Sequence, residues 1–283
     1  MWNPPLYGLL GQPEITYPVN AVTFDGVRYY KSQTSGASPE IRTILGSVDF
    51  YVPIASMANF NTRQLFWMYP FVEQIDDGGD IYTQTTAVML AIVQRFGSAL
   101  NLYLFHNRNN GADSASENIA YANFSTSFDA WHNLCFHLDN QSGIFSLMLD
   151  GVAQDDGAFS YLGDMTGGAA AIDVGGFSSY AQGSDLIYPL PLNGRLGEVW
   201  LHGQSEPYGG SALELSQRRM NALNKPKNIG LSGVMLTGEN ISPQLYLRRA
   251  SPDWKDNQGA GADLYLAAGS EAPATTGPSI YGV

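Results

Sequence analysis

Three carboxylates fall within one glycine-rich stretch, Asp76-Asp77-Gly78-Gly79-Asp80. Hard oxygen ligands gathered on one loop are what a calcium ion takes, so Asp76, Asp77 and Asp80 are the candidate metal residues. Their spacing is not that of an EF-hand, and Asp155-Asp156-Gly157 is a poorer version of the same pattern. Nucleophilic chemistry has fewer resources. The one cysteine, Cys135, lies in the apolar run Leu134-Cys135-Phe136 and reads as a buried structural thiol. Of its neighbours His132 and His137, only His137 shares its face of a strand. No Gly-x-Ser-x-Gly elbow is present, and His106, His132, His137 and His202 show no partner set in the sequence. Zinc would need more ligands than two histidines flanking one cysteine. Glycosidic cleavage needs a carboxylate pair projecting from one strand. Glu198 stands alone on its strand, and Glu214 falls on a predicted helix, where a solvated face is expected. No catalytic residue is expected, and no cofactor beyond calcium.

Binding chemistry is better supplied. Tyr121, Tyr161, Tyr180, Tyr188 and Trp254 lie in or near polar segments, as the aromatic platforms of a sugar site would. Aromatic residues are equally enriched where proteins touch each other, so these positions leave glycan and protein partners both open. Composition narrows the partners. The 283 residues carry 26 acidic and 14 basic side chains, a net charge of −12, with only 14% charged residues against 44% hydrophobic. A field of that sign disfavours nucleic acid, which needs clustered Lys and Arg. Arg218-Arg219 and Arg248-Arg249 are short pairs that read as solvated or carboxylate-paired surface. No apolar run approaches the roughly 18 residues that span a bilayer, and Met1-Trp2-Asn3-Pro4-Pro5 has neither the basic start nor the apolar core of a signal peptide.

The elements that position these residues read as strands. Val19–Asp25 alternates and ends in the turn pair Asp25-Gly26. Ile41–Val52 offers Ile44, Val48, Phe50 and Val52 to one face. Gln64–Pro70, Ala87–Arg95 and Ala99–Phe105 continue the series, with the acidic loop between the first two. Trp131–Leu138 and Ile144–Asp150 flank a polar turn and close in Asp150-Gly151, the signature of a hairpin. Ala171–Gly175 and Gly194–His202 follow. One helix is predicted, Ala212 to Leu223, capped by Ser211, with Leu213, Leu215 and Met220 as its apolar positions. Many short strands and a single helix define an all-β class.

Four motifs in order resemble the concanavalin A-like, laminin G-like domains. They are Val22-Thr23-Phe24-Asp25-Gly26, Trp131-His132 leading to Asp150-Gly151, Ile172-Asp173-Val174-Gly175-Gly176, and Leu192-Asn193-Gly194-Arg195-Leu196-Gly197-Glu198-Val199. The resemblance covers residues 19–202 and implies a jelly-roll β-sandwich. In it Trp131 would anchor the space between sheets, Gly175 and Gly176 would permit close approach, and Glu198 would bond to backbone at a strand end. Such domains often hold a calcium at the sandwich rim. The tail, with Asn224-Lys225-Pro226-Lys227-Asn228-Ile229-Gly230, Pro243-Gln244-Leu245-Tyr246-Leu247 and Asn257-Gln258-Gly259-Ala260-Gly261, resembles laminin G-like structural proteins of tailed bacteriophages.

That second resemblance implies a non-enzymatic virion component (head decoration, head fibre or tail-associated protein) assembled in the host cytoplasm. Its partners would be other virion proteins and further copies of itself, a homo-oligomer, with no nucleic acid and no membrane insertion. The expected organisation is an N-terminal arm (1–18), the sandwich (19–202), and a helix with a C-terminal β segment (203–283) packed on the sandwich or on a partner. The alternative is a carbohydrate-binding module that attaches a particle or an enzyme to a cell-surface glycan. A hydrolase or lyase of the same fold comes third, for want of a carboxylate pair.

Overall fold

The computed structural model describes residues 16–32, 40–77, 80–108, 117–154, 157–158, 165–166, 171–176, 190–220, 227, 229–248, 253–270 and 274–281. In chain order its strands are β1 (Thr16–Asp25), β2 (Tyr29–Ser32), β3 (Glu40–Ile41), β4 (Thr43–Tyr51), β5 (Thr62–Asp77), β6 (Asp80–Phe96), β7 (Ala99–Arg108) and β8 (Glu117–Thr126). There follow β9 (Trp131–Asp139), β10 (Ile144–Leu149), β11 (Val152–Ala153), β12 (Gly157–Ala158), β13 (Met165–Thr166), β14 (Ile172–Val174), β15 (Leu190–Pro191) and β16 (Asn193–Gln204). After the helix α1 (Ala212–Arg219) come β17 (Leu245–Leu247), β18 (Leu264–Ala268) and β19 (Ala274–Tyr281).

Two large sheets form. The first runs β11-β10-β9-β4-β16-β1-β19, with β17 joining β16; the second runs β18-β2-β14-β5-β6-β7-β8. Alternation explains the layer between them. Ile44, Val48 and Phe50 on β4, Leu134, Phe136 and Leu138 on β9, and Leu196, Val199 and Leu201 on β16 face Phe66, Met68, Met89, Ala91, Val93, Leu100 and Leu102 of the second sheet. The rings of Phe66 and Phe136 stack across the layer with centroids 5.6 Å apart. At Gly175, whose φ is +77°, an added Cβ would lie 2.1 Å from the Phe24 ring, so this position needs glycine for both backbone and space.

The acidic loop of the sequence is the tip of the hairpin β5–β6, whose register runs from Thr62↔Gln94 to Asp77↔Asp80. Both strands are longer than their apolar runs, because Thr, Gln and Tyr carry the pairing outward beyond the hydrophobic part. Strands from the C-terminal part enter both sheets: β17 and β19 pair with β16 and β1, and β18 pairs with β2.

The helix ends earlier than its sequence pattern. Met220 is already extended, with φ −113° and ψ 147°. Ser211 caps it as expected, and Glu214, exposed as expected, also completes a capping box. Leu215 is buried against the first sheet while Leu213 is exposed. No helix among the described residues is long and apolar enough to cross a membrane.

Candidate functional site

The outer face of the first sheet is sealed. Leu45, Cys135, Met148 and Trp200 of that sheet form a second apolar cluster with Tyr208, Ala212 and Leu215, and with Ile229, Leu236 and Tyr246. Within this cap lies a buried ion cluster. Arg219, 1% exposed, meets Asp49 at 2.5 Å and Glu198 at 2.9 Å, and Arg248 meets Glu198 at 3.7 Å. Burial opposes the charge on Arg219, but the two carboxylates outweigh it and hold the guanidinium protonated. Arg219 is therefore not the surface residue its dibasic sequence suggests. Glu198 is held by the Arg219 and Arg248 side chains and by the Tyr246 hydroxyl rather than by backbone.

Histidine and cysteine chemistry is also structural. Burial pushes the Cys135 thiol up to about 12, so it holds no thiolate at neutral pH. His132 has the partner set that the sequence did not reveal: Nδ1 lies 2.7 Å from Asp150, and Nε2 lies 3.3 Å from the Ser127 hydroxyl. The backbone carbonyl of Ser127 is closer to Nε2, at 2.9 Å, and occupies the nitrogen that would have to take the serine proton. With Asp150 also accepting the Asn133 N–H at 2.8 Å, the arrangement clamps the turn before β9 to the Asp150-Gly151 turn after β10. Trp131 is half-buried against Tyr51 rather than set between the sheets, and Trp254 is buried against Phe24 and Tyr30, so it offers no platform. The inter-sheet space is filled by Phe and Leu instead.

The outer face of the second sheet is built differently: Gln64, Trp67, Ile92 and Asp173 are buried on it, and it becomes exposed toward its β6–β7 end. One cross-strand row reads Tyr265↔Lys31↔Asp173↔Trp67↔Leu90, from β18 to β6. Asp173 is buried on it, with Lys31 3.7 Å away, and burial lifts its carboxyl to about 7 against the pull of Lys31. A second row pairs Ile92 with Tyr103, and a third pairs Gln94 with Asn101 and Asn101 with Ser125. These side chains form a directed relay. Ser125 donates to Asn101 Oδ1 at 2.7 Å, and Asn101 Nδ2 donates to the Tyr103 hydroxyl at 3.4 Å. Tyr103 donates to Gln94 Oε1 at 3.0 Å, and Gln94 Nε2 donates to the Phe60 carbonyl at 3.4 Å.

The relay ends at an exposed aromatic pair. Phe60 and Phe96 are 60% and 58% exposed, edge to face, with centroids 5.4 Å apart. Phe96 is the last residue of β6, on the same face as Gln94. Phe60 sits at φ +67°, a conformation that costs a bulky residue of order 1–3 kcal/mol. The surroundings hold it there. Phe60 N–H donates to Arg95 O at 2.8 Å, Arg95 N–H to Asn61 O at 3.1 Å, and Gly97 N–H to Asn59 Oδ1 at 2.7 Å. Two large apolar rings are thereby fixed in solvent, next to planar amides and hydroxyls, at the exposed end of this outer face. Sequence reasoning missed both phenylalanines. The signals were Asn59-Phe60-Asn61, an aromatic between two turn formers, and Phe96-Gly97 at a hairpin tip.

Of the positions singled out from sequence, Asp76, Asp77 and Asp80 are described by their backbone alone: Asp77 and Asp80 are cross-strand partners at the tip of β5–β6. Tyr121 lies on β8 opposite Phe105, extending the first row. Tyr161, Tyr180, Tyr188, Asp155, Asp156 and Arg249 lie outside the described residues. Among the described residues no three metal-ligating side chains converge.

No family model matches the chain, and no curated protein does. Solved structures do. A putative carbohydrate-binding protein from Bacteroides ovatus aligns with TM-score 0.51 at 10% identity, over 93% of this chain and 61% of that one. This chain thus spans about three fifths of that protein's length. A heptameric SAP-like pentraxin from Limulus polyphemus aligns with TM-score 0.48 at 12% identity, over 92% of this chain and 95% of that one. Domains LG4-5 of the mouse laminin alpha1 chain align with TM-score 0.39 at 11% identity, over 65% and 42%. The fold is a jelly-roll sandwich. At these identities the likeness speaks to fold alone, and function has to come from the site.

Proposed function

We propose that the chain is a carbohydrate-binding module that engages glycan through the exposed β6–β7 end of the outer face of its second sheet. The observation that carries this reading is the pair Phe60 and Phe96, held exposed at a strained backbone position and joined to the relay Gln94–Tyr103–Asn101–Ser125. A pyranose presents apolar C–H faces and equatorial hydroxyls. Exposed rings stack on the former, and amides hydrogen-bond the latter with both donor and acceptor. Fixing the rings beforehand lowers the ordering cost of binding. The name of the Bacteroides ovatus neighbour agrees with this reading. Retardation of the chain in gels containing soluble polysaccharides tests it. The native chain is expected to be retarded by at least one polysaccharide, and the double variant Phe60→Ala/Phe96→Ala to run free. Equal mobility of the two on every polysaccharide sinks the proposal.

Self-association belongs to the same reading, because Leu213, Leu231 and Met235 are exposed on the cap, on the side opposite the platform. Light scattering of the native chain and of a Leu231→Ser variant reads it out. Calcium at Asp76, Asp77 and Asp80 is proposed as a stabiliser of the β5–β6 tip, to be read as a melting temperature that falls on chelation. Attachment to a capsid or tail rests on the order of the sequence motifs.

A further inference from the structure

We infer that the saccharide taken by this face is uncharged, an inference that rests on the binding reading above. Three features of the face carry it.

The first is where the cations are. Alternation along β6 puts Gln94 and Phe96 on the outer face and Arg95 on the other. The Arg95 guanidinium is engaged there: Nε donates to Gly97 O at 2.9 Å, and Nη1 donates to Ile54 O at 3.2 Å and Met57 O at 2.6 Å. Lys31, further along the outer face, is paired with the buried Asp173 at 3.7 Å. An anionic sugar needs a guanidinium or ammonium turned toward it. Among the described residues the neighbourhood of the rings offers amides and hydroxyls instead.

The second is the direction of the relay. Each bond from Ser125 to the Phe60 carbonyl uses one donor and one acceptor, so Gln94 and Asn101 each keep one amide N–H for a ligand while their oxygens keep lone pairs. A sugar hydroxyl both donates and accepts, and satisfies such a mixed edge. A carboxylate or sulfate only accepts, and leaves the lone pairs facing like charge.

The third is the field of the whole molecule. A net charge of −12 repels an anionic polymer before contact and concentrates a neutral one no less than water does.

The test is calorimetry of the full chain against two panels of oligosaccharides: neutral glucans, mannans, xylans and galactans, and sialylated, uronate and sulfated chains. Each is measured at about 50 and 300 mM NaCl, a span over which surface charge attraction is strongly screened. The expected result is binding within the neutral panel, unchanged with salt to within about twofold. That affinity should fall at least tenfold in Phe60→Ala/Phe96→Ala and in Asn101→Ala, which leaves the rings in place. Preference for an acidic chain, with affinity falling as salt rises, overturns the inference and leaves the binding reading standing. Neutral binding that survives both variants puts the site elsewhere and overturns it too. Binding to neither panel removes the proposed function itself, and this inference with it.

Discussion

The two outer faces of the sandwich solve opposite problems. On the first sheet, β4 and β9 are buried along nearly their whole length, because the helix and the 229–246 segment cover the side that alternation leaves outside. The polar groups there, Asp49, Glu198 and Arg219, are matched to each other and withdrawn from water. On the second sheet, the equivalent face is buried at Gln64, Trp67, Ile92 and Asp173, but near the β6–β7 hairpin it keeps amides, hydroxyls and rings toward the surface, held by hydrogen bonds that leave capacity unused. Charge is consumed on one face for assembly of the fold, and on the other it is largely replaced by neutral polar groups. Burial with matched charge builds a cap; rigid exposure without charge builds a surface for something else.

The sharpest way to break this comparison is to unbalance the cap. Arg219→Met leaves Asp49 buried without its cation and Glu198 with Arg248 alone, and unfolding midpoints in urea should report a loss of about 3–5 kcal/mol. Replacing the triad together with Asn, Gln and Met should recover most of it. Recovery of nothing means that packing, not charge, holds the helix. Next comes the platform. Phe60→Ala/Phe96→Ala should lower glycan affinity by about ten- to a hundredfold, some 1.4–2.7 kcal/mol. Phe60→Gly relieves the positive φ and should leave the melting temperature within about 2 °C of the native chain while binding falls.

The remaining two concern pH, and they have opposite signs. Asp173 is raised by burial to about 7 from an unfolded value of 3.8. Between those values the unfolded state has lost the proton and the folded state keeps it, so this group's contribution is full below about pH 4 and lost as pH rises through 7. Asp173→Asn should therefore be more stable than the native chain at pH 8 by about 1–2 kcal/mol and indistinguishable from it near pH 4. His137 is lowered by burial, with Asp139 opposing, and among the described residues neither ring nitrogen has a hydrogen-bond partner. Its contribution is present above 6.5 and lost as pH falls below it. The acid limb of the stability curve should flatten in His137→Leu, the smallest effect of the set. An acid limb that stays as steep puts the titrating group elsewhere on the cap.

Much of this fold was legible. The alternation of Ile44, Val48 and Phe50, the turn pairs Asp25-Gly26 and Asp150-Gly151, and the Ser211 cap are local statements, and local chemistry fixes them. Asn257 is a longer-range case: it sits in a turn motif read from sequence, but its bonds to Tyr246 N–H and Gln244 O staple β17 from eleven and thirteen residues away. Arg219 was misread because a dibasic pair looks like surface until Asp49 and Glu198, lone acids in apolar strands, are seen to need a counter-ion. The platform was hidden for a different reason. Phe60 and Phe96 are distant in sequence, and they meet through the β5–β6 register together with a backbone conformation at Phe60 that its residue type disfavours. No periodicity announces either.

The pairing of β1 with β19, Val22↔Ala274 through Thr16↔Tyr281, has a consequence for how the molecule is made. At about 5–20 residues per second, a ribosome finishes β19 some tens of seconds after β1 has emerged. During that interval the side of β1 that will meet β19 is a bare edge with unmatched N–H and C=O groups, open to pairing with another nascent chain. Long-range closure of this kind is slow even for a released chain. Production yield should therefore depend on how crowded the polysomes are and on the chaperones that shield the early strand, more than on the stability of the finished sandwich.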